Sequence, residues 1–566
     1  MPLQTSLFTG LTGLAANSTM IDVTGNNIAN VNTTAYKKSR ISFETTVQRT
    51  LKSGSAPTAL QGGTNPAQVG LGTRVANISR DFSSGGFTPT GVATDNSIEG
   101  NGFFIVEDNG TQLYTRNGNF ALDADFNLTS NGAKVQGFGV DDNFNVIPGA
   151  LQDINLPLGV LTISEATGSV NFSGNLNASG DVATQGSIID SEVLYADATA
   201  TTQADAATAL NSIYDGDGNQ LFADGDVITI TGAYKGGSVL PDKTFEVTTN
   251  TQDADDSGAT VQDLIDFFDD VLGIDESLTP GVSITGGQLR FEGNAGTANE
   301  LSLEDANLVV NAGVAPVAPI SFTQSQNANG ESVKTQFVAY DSLGAPVNVD
   351  LTFVLEGKDN TGTQWRFFAE SEDDSDLDRQ LSTGVMNFDN DGQLISTVDG
   401  TVTIDRNNTG AFSPMAVDLA FQDPFGSVSA LSDVRSQVSA INQDGSPIGT
   451  LEDFNVAEDG TITGVFSNGL LRDLGQIPLA MFANNAGLSD VGGSKFQAGV
   501  NSGTAAVVSA TTGGSGRIIG RSLELSNVEL SEEFINLITA STGYSANSRI
   551  ISTSDRLIQE LLATVR

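Results

Sequence analysis

The chain has 566 residues, enough for about three or four domains. Of these residues 39% are apolar, enough to form substantial cores. It carries 68 Asp and Glu against 25 Lys and Arg, and its net charge of −43 argues against binding to nucleic acid or anionic membranes. The absence of His and Cys excludes Ser-His-Asp and Cys-His catalysis, disulfides, and metal sites built from those residues.

The N-terminal segment has the apolar periodicity of a helix. Four apolar residues recur at intervals of seven, the spacing of a coiled-coil seam: Leu7, Leu14, Ile21 and Ile28. Three glycines in the same stretch each lower helix stability by up to ~1 kcal/mol relative to Ala: Gly10, Gly13 and Gly25. We therefore expect a helix that is marginal alone and folds when a neighbour covers its apolar stripe.

From about residue 70 to residue 525 the pattern is typical of β-strands, with short apolar or alternating runs separated by Gly, Asn and Asp. Five dipeptides predict hairpin turns: Asn109-Gly110, Asn117-Gly118, Asn131-Gly132, Asp459-Gly460 and Asn468-Gly469. One helix interrupts this pattern. Residues Thr260–Leu272 place their apolar side chains on one face, and Gly273 ends the segment.

The C-terminal segment repeats the seven-residue period. Its apolar positions are Leu530, Leu537, Tyr544, Ile551, Ile558 and Val565, with Phe534 in the companion position. The sequence Ser526-x-x-Glu529 predicts a capping box that opens this helix. Residues 1–52 and 516–566 carry net charges of +3 and −1, whereas the chain between them carries −45. This contrast is expected if the ends pack together in an interior and the middle faces solvent.

These patterns predict a mixed, mainly β fold in which the terminal α-helices pair as a coiled-coil-like inner domain and two or three β-rich outer domains are nested as insertions. The predicted domains are 1–70 with 525–566, 71–145 with 439–524, 146–178 with 320–438, and an additional α+β insertion at 179–319. The simpler alternative is one amphipathic helix at each end docked on a globular core.

No sequence motif indicates a catalytic or cofactor site. Asp215-Gly-Asp217-Gly-Asn219 begins like a calcium loop, but Gln220 stands at the sixth position and Asp226 at the twelfth, so a hairpin turn is favoured. We therefore expect no enzymatic activity, no cofactor and no resident metal.

Several segments carry a family resemblance. The segment NNIANVNTTAYK (26–37) resembles the N-terminal signature of the bacterial flagellar rod and hook family, and the other similar segments are NPAQVGLGTRV (65–75), GNGFFIV (100–106), YTRNGNF (114–120) and the run at 523–562. The residues assigned to the family motif are Asn26, Asn27, Asn30, Asn32, Tyr36, Asn527, Asn547 and Arg549. YDSLGAPV (340–347) and the segment 465–488 resemble the hook branch of the family rather than its rod branch.

The resemblance implies a structural protein of the extracellular part of the flagellum. Copies would polymerise into a hollow, flexible helical tube that acts as a universal joint between rod and filament, with the terminal helices lining the inner tube. The implied partners are other copies of the chain, flagellar rod proteins, the hook cap protein, the hook–filament junction proteins and the flagellar type III export apparatus. Nucleic-acid binding and membrane insertion are not expected.

The chain also departs from the family pattern. Ala35 stands where relatives usually have Gly, so a backbone with positive φ there would be strained. Gly543 and Ser545 replace better helix formers, which predicts a softer terminal helix. Two alternatives remain open at this point: a distal rod or other flagellar axial protein, and a calcium-tuned surface-layer or adhesin protein.

Overall fold

The computed structural model describes residues 2–59, 61–248, 256–311, 317–423 and 426–564. The chain divides into two compact units, one formed by Met1–Leu161 with Thr450–Arg566 and the other by Thr162–Gly449. Within the described residues, no helix is long and apolar enough to cross a membrane.

The chain begins with a long helix followed by short strands. In order these are α1 (Pro2–Ala29), β1 (Ser39–Thr45), β2 (Gln48–Lys52), β3 (Ala67–Gly70), β4 (Thr73–Arg80), β5 (Phe87–Pro89), β6 (Asn96–Glu99), β7 (Phe103–Asp108), β8 (Thr111–Thr115), β9 (Ala121–Leu122), β10 (Leu128–Ser130), β11 (Ala133–Gly137) and β12 (Gln152–Asp153).

The middle of the chain contains one helix among strands. In order these are β13 (Thr162–Glu165), β14 (Ser169–Asn175), β15 (Gly186–Val193), β16 (Val227–Ile230), β17 (Tyr234–Lys235), β18 (Ser238–Val239), β19 (Lys243–Val247), β20 (Ser257–Gly258), α2 (Val261–Leu272), β21 (Gly281–Thr285), β22 (Gln288–Ala295), β23 (Leu301–Ser302), β24 (Leu308–Val310), β25 (Phe322–Gln326), β26 (Ser332–Tyr340), β27 (Pro346–Asp359), β28 (Gly362–Ser371), β29 (Gln380–Phe388), β30 (Leu394–Val398), β31 (Thr401–Ile404), β32 (Met415–Ala420), β33 (Gln422–Asp423), β34 (Gly426–Ser429) and β35 (Gln437–Gln443).

The last part returns to strands and ends in a second long helix. In order these are β36 (Ser446–Val456), β37 (Thr461–Phe466), β38 (Leu471–Gln476), β39 (Leu479–Met481), β40 (Ser489–Gly492), β41 (Lys495–Gln497), β42 (Ala506–Val508), β43 (Arg517–Gly520), β44 (Ser522–Glu524) and α3 (Leu530–Thr564). A long helix at each end of the chain and a mainly β middle confirm the predicted fold class.

Four of the five predicted hairpin turns are confirmed. They join β7 to β8, β10 to β11, β36 to β37 and β37 to β38, each pair antiparallel. Asn117-Gly118 is the exception, because β8 pairs with β7 and β41 while β9 pairs with β10. Gly118 instead lies against the backbone of Asn96, where a Cβ would be 1.7 Å from the Asn96 carbonyl oxygen. The glycine there permits a close backbone approach rather than a hairpin turn.

The unit Thr162–Gly449 contains two apolar cores. One lies around Trp365, Phe172 and Phe353, where the antiparallel sheet β26-β27-β28-β29-β30 contributes half of the buried side chains. The other is formed between residues 189 and 320 around α2 and the sheets β21-β22-β15-β25 and β20-β19-β16-β24. The four-domain division of the chain stays a prediction.

Helix α2 was predicted correctly from sequence. Thr260 caps its N-terminus, accepting from the Asp263 backbone N–H while the Asp263 carboxylate accepts from the Thr260 N–H. Gly273 ends the helix in the left-handed conformation, with φ of 59°. Its apolar face, including Leu264, Ile265 and Phe268, is buried in the second core.

Candidate assembly site at the terminal helices

Helices α1 and α3 pack against each other in antiparallel orientation. Gly10 lies beside Ile551, near the C-terminal end of α3, whereas Asn27 donates from Nδ2 to Glu533 Oε1 at 3.2 Å, near its beginning. The helices therefore stay in contact along most of α1.

The centre of the helix contact is made of small and polar residues. A Cβ at Gly13 would lie 2.6 Å from Asn547 Oδ1, and a Cβ at Gly543 would lie 2.7 Å from Asn17 Oδ1. Between residues 5 and 29 of α1 and along α3, the buried residues are Gly10, Gly13, Ala16, Thr24, Asn27, Glu533, Ala540 and Ser554. Glycines that weaken each helix in isolation thus let the two backbones approach closely.

The seven-residue apolar positions flank this centre. Seven are half-buried: Leu7, Leu14, Ile21, Ile28, Leu537, Ile551 and Ile558. Three are exposed: Leu530, Phe534 and Tyr544. Val565 lies outside the described residues.

Several other large apolar side chains of the two helices are largely exposed to solvent. The exposed ones are Phe8, Leu11, Ile535, Ile538, Ile550, Leu557, Leu561 and Leu562. We call these eight exposed side chains together the apolar flank. An exposed apolar surface on a long helix pair is typical of an interface with another protein chain.

Asn27 ties the end of α1 to the strand that follows it. Its Oδ1 accepts from the Ser39 backbone N–H at 2.9 Å and from the Tyr36 hydroxyl at 3.3 Å, and its Nδ2 also donates to the Ser39 carbonyl at 2.9 Å. Burial raises the pKa of Tyr36, whose ring also lies under the Arg80 guanidinium. Asn27 is therefore a structural junction between α1, β1 and α3.

Asn527 forms a second junction just before α3. Its Oδ1 accepts from the Lys38 backbone N–H at 2.7 Å, and its Nδ2 donates to the carbonyls of Asp81 and Ser83. Its own N–H donates to the Tyr36 carbonyl. Helix α3 begins at Leu530, directly after Glu529, and Ser526 Oγ accepts from the Val528 N–H at 3.4 Å, so the predicted capping box at Ser526 is wrong.

The remaining motif residues are placed less centrally. Asn26 donates to the Tyr36 hydroxyl at 3.4 Å, and Asn30 donates to the Asn26 carbonyl at 2.9 Å. Asn547 belongs to the helix contact described above. Asn32 and Arg549 are exposed.

A buried charge cluster lies where three motif segments meet, and the sequence analysis did not identify it. Lys37 Nζ donates to Glu524 Oε1 and to the Ser83 carbonyl, both at 2.7 Å, and Arg116 Nη1 lies 3.8 Å from Glu524 Oε2. All three charged side chains are at most 1% exposed. Burial lowers the pKa of Lys37 and of Arg116, and Glu524 opposes both shifts. The signal in the sequence was that Lys37 and Arg116 are each the single charged residue of their motif segments (26–37 and 114–120), whereas Glu524 lies in a segment with several other charges.

Ala35 confirms the strain considered from sequence. It is buried with φ of +54°, in the left-handed region, and its N–H donates to the Glu524 carbonyl at 2.8 Å. The backbone of Ala35 is therefore held in a conformation that favours glycine, in which a Cβ is strained.

The acidic loops mostly satisfy their own carboxylates. In the candidate calcium loop, Asp215 accepts from the N–H groups of Asp217 and Asn219 and from Asn219 Nδ2, and these bonds lower its pKa. This is the geometry of the hairpin turn favoured from sequence. Among the described residues, one group of three carboxylates has oxygens within 4.8 Å of one another: Asp374, Asp376 and Asp405.

Four family models match segments from both ends and the middle of the chain. They are described as Flagella basal body rod protein (residues 7–37), Flagellar hook protein FlgE/F/G D1 domain (97–186), Flagellar basal body protein FlaE D2 domain (305–446) and Flagellar basal body rod FlgEFG protein C-terminal (520–564). The first and last of these cover most of α1 and α3.

Three relatives match over nearly the whole chain and nearly their own whole length. The chain is 28% identical to the flagellar hook protein FlgE of Borreliella burgdorferi, over 98% of both chains. It is 27% identical to that of Treponema pallidum over 99% of both, and 25% identical to that of Escherichia coli K12 over 98% of both.

Proposed function

Because the chain belongs to the family of flagellar hook proteins, we propose that it is the structural subunit of a bacterial flagellar hook, outside the cell and attached to the basal body. Copies polymerise into a hollow, flexible helical tube that transmits torque from rod to filament as a universal joint. The distal-rod and surface-layer alternatives are not favoured, because the full-length relatives are hook proteins.

The observation that carries the proposal is the apolar flank of the α1–α3 pair. Side chains such as Phe8, Ile535 and Ile538 are exposed on helices whose mutual contact is made by small residues. Burying such side chains contributes roughly 25 cal/mol per Å² of apolar surface, so neighbouring copies that cover this flank stabilise a polymer. The apolar heptad residues and the flank together form the proposed assembly surface, with residues 1–70 and 525–566 as the inner-tube domain.

Torque must pass between the helices and the β-strands of the same unit. The junctions at Asn27 and Asn527 and the cluster of Lys37, Arg116 and Glu524 join α1, the motif strands and the start of α3 through buried and half-buried polar contacts. Breaking these contacts would leave buried charges and amide groups without partners, so the junctions resist deformation. This network supports a stiff connection from the helical layer to the β-rich layer.

The second unit has the surface expected of solvated outer domains. Residues 162–449 contain 44 of the 68 acidic residues and 9 of the 25 Lys and Arg. Like charge on neighbouring copies favours hydrated contacts that can slide as a tube bends and rotates. The partners of the assembled tube in this proposal are rod proteins, the cap protein, the junction proteins and the type III export apparatus.

Electron microscopy of the purified chain with matched variants tests the proposal. Ile538 in α3 and Ile395 in β30 are 65% and 64% exposed, so Ile538→Asp and Ile395→Asp make the same change at equal exposure. We expect tubes from the parent chain and from Ile395→Asp but none from Ile538→Asp, with unchanged thermal unfolding of the β-rich units. Tubes from Ile538→Asp would contradict assembly through the terminal helices.

A further inference from the structure

Lys235 lies at a buried contact between the two cores of the unit Thr162–Gly449. It belongs to the short hairpin β17–β18 of the inserted segment, and its side chain is 5% exposed. Its Nζ donates to Glu370 Oε1 at 2.6 Å, and Glu370 lies on β28 in the five-stranded sheet. A buried ammonium group therefore links the inserted segment to the sheet.

The carboxylate of Glu370 is held from both sides. Arg379, at the edge of β29, donates from Nε to Glu370 Oε2 at 3.2 Å, and its Nη1 donates to Glu372 at 3.2 Å. Burial alone would raise the pKa of Glu370, but Lys235 and Arg379 hold it below its ordinary value. The carboxylate is therefore ionised and both of its oxygens are engaged.

The C-terminal end of α2 is bound by the same groups. Lys235 Nζ donates to the carbonyls of Leu272 at 2.9 Å and Gly273 at 2.7 Å, and the Arg379 backbone N–H donates to the Asp270 carbonyl at 3.1 Å. These carbonyls lie at the negative end of the helix dipole, where a cation is stabilising. A Cβ at Gly273 would lie 3.2 Å from Lys235 Nζ, so the glycine also provides the space for this contact.

A second contact joins the inserted segment to the start of the sheet. The Ser332 hydroxyl, at the beginning of β26, accepts from the Ala298 N–H at 2.7 Å and lies 3.0 Å from the Thr297 hydroxyl. A Cβ at Gly296 would be 2.8 Å from Val354 on β27. Because the inserted segment is held at two separate places, it cannot rotate freely about either contact.

We infer that the inserted segment 179–319 is locked onto the sheet β26–β30 by the buried cluster of Lys235, Glu370 and Arg379, which we call the charge latch, so that Thr162–Gly449 moves as one rigid body. The inserted segment is then a stiff extension of the unit rather than an appendage that swings on its connecting strands. A force applied to the inserted segment is then transmitted to the sheet, because the segment does not move relative to it.

Distance measurements between spin labels test this inference in the full chain. The chain contains no Cys, so Thr285→Cys in the inserted segment and Ser396→Cys on β30, both exposed positions, can be labelled as a pair without background. Electron–electron resonance should give one narrow distance distribution in the unassembled chain. A broad distribution in this doubly labelled chain would overturn the inference, whatever the variants do.

Two further substitutions test whether the charge latch is what keeps the distance distribution narrow. Lys235→Met removes the buried ammonium group and leaves the α2 carbonyls and Glu370 without it, whereas Lys243→Met removes a lysine from a half-buried position of the same segment. We expect the distance distribution to broaden in Lys235→Met and to stay narrow in Lys243→Met. An equally narrow distribution in Lys235→Met would show that the charge latch does not hold the segment.

Discussion

Asn17 of α1 and Asn547 of α3 occupy equivalent positions in the antiparallel helix pair. Each Nδ2 donates to the carbonyl of the glycine four residues earlier in its own helix, Asn17 to Gly13 at 2.7 Å and Asn547 to Gly543 at 2.9 Å. Each side chain also lies over the glycine of the other helix. The result is a nearly symmetric polar centre at which the two helices lie close together.

The first prediction compares two glycines of α1. Gly13→Leu places a large side chain against Asn547 and should destabilise the helix pair by about 1–3 kcal/mol through overpacking. Gly25→Leu has no atom within 4 Å of the new Cβ and should be neutral or stabilise α1 by up to ~1 kcal/mol. Helical circular dichroism during denaturant unfolding measures both, and equal effects would contradict a close contact at Gly13.

The second prediction concerns the strain at Ala35. Ala35→Gly removes a buried methyl group but relieves a left-handed backbone that costs an alanine about 1–2 kcal/mol. Ala16→Gly removes a buried methyl group from a relaxed helix and adds a propensity loss of about 1 kcal/mol. Ala35→Gly should therefore be better tolerated by at least about 1 kcal/mol in the free energy of unfolding. A larger loss at Ala35 would contradict the assigned strain.

The third prediction orders two changes in the buried charge cluster. Glu524→Gln leaves Lys37 and Arg116 as two buried cations without a carboxylate and should cost about 3–5 kcal/mol. Lys37→Met leaves Arg116 paired with Glu524, so it should lower the free energy of unfolding clearly less than Glu524→Gln does. Chemical denaturation of the full chain measures both free energies, and the reverse order would contradict the charge balance assigned to this cluster.

The fourth prediction concerns pH. Burial, with the nearby Glu276 carboxylate, raises the pKa of Asp269 to about 8, against about 3.9 in an unfolded chain. The folded protein therefore retains a proton that the unfolded chain releases, so stability falls as pH rises from about 4 to 8. Asp269→Asn keeps an acceptor for the Val282 N–H, bonded to Asp269 at 2.7 Å, and removes this titration.

The melting temperature at pH 5 and pH 9 provides the measurement. The fall between the two values should be smaller in Asp269→Asn than in the parent chain. The control is Asp242→Asn, at an exposed position of the same segment, which should follow the parent. Parallel pH profiles for the parent and Asp269→Asn would contradict a protonated Asp269.

Local signals predicted local structure well. The cap at Thr260, the apolar face of α2 and the stop at Gly273 lie within 14 residues, and the hairpin at Asn109-Gly110 is set by two residues. Asn117-Gly118 carried the same signal but was used for a contact with Asn96, which only the three-dimensional fold defines.

Long-range contacts could not be predicted from the sequence, because they too are defined only by the three-dimensional fold. Lys37 and Glu524 are 487 residues apart in sequence, and nothing in their separate neighbourhoods specifies that their charges neutralise each other. Gly13 and Gly543 appeared only as weak points of two helices, because the space they provide exists only once α1 and α3 are packed.

The most direct test of the central claim is the accessibility of α3 before and after assembly. An Ile538→Cys variant carries the only thiol in the chain, at an exposed position of the apolar flank, and its rate of maleimide labelling can be compared between monomer and tube. We predict rapid labelling in the monomer and strong protection in the tube, while Asp242→Cys in the inserted segment stays accessible in both. Equally fast labelling of the Ile538→Cys variant in assembled tubes would contradict assembly through the terminal helices.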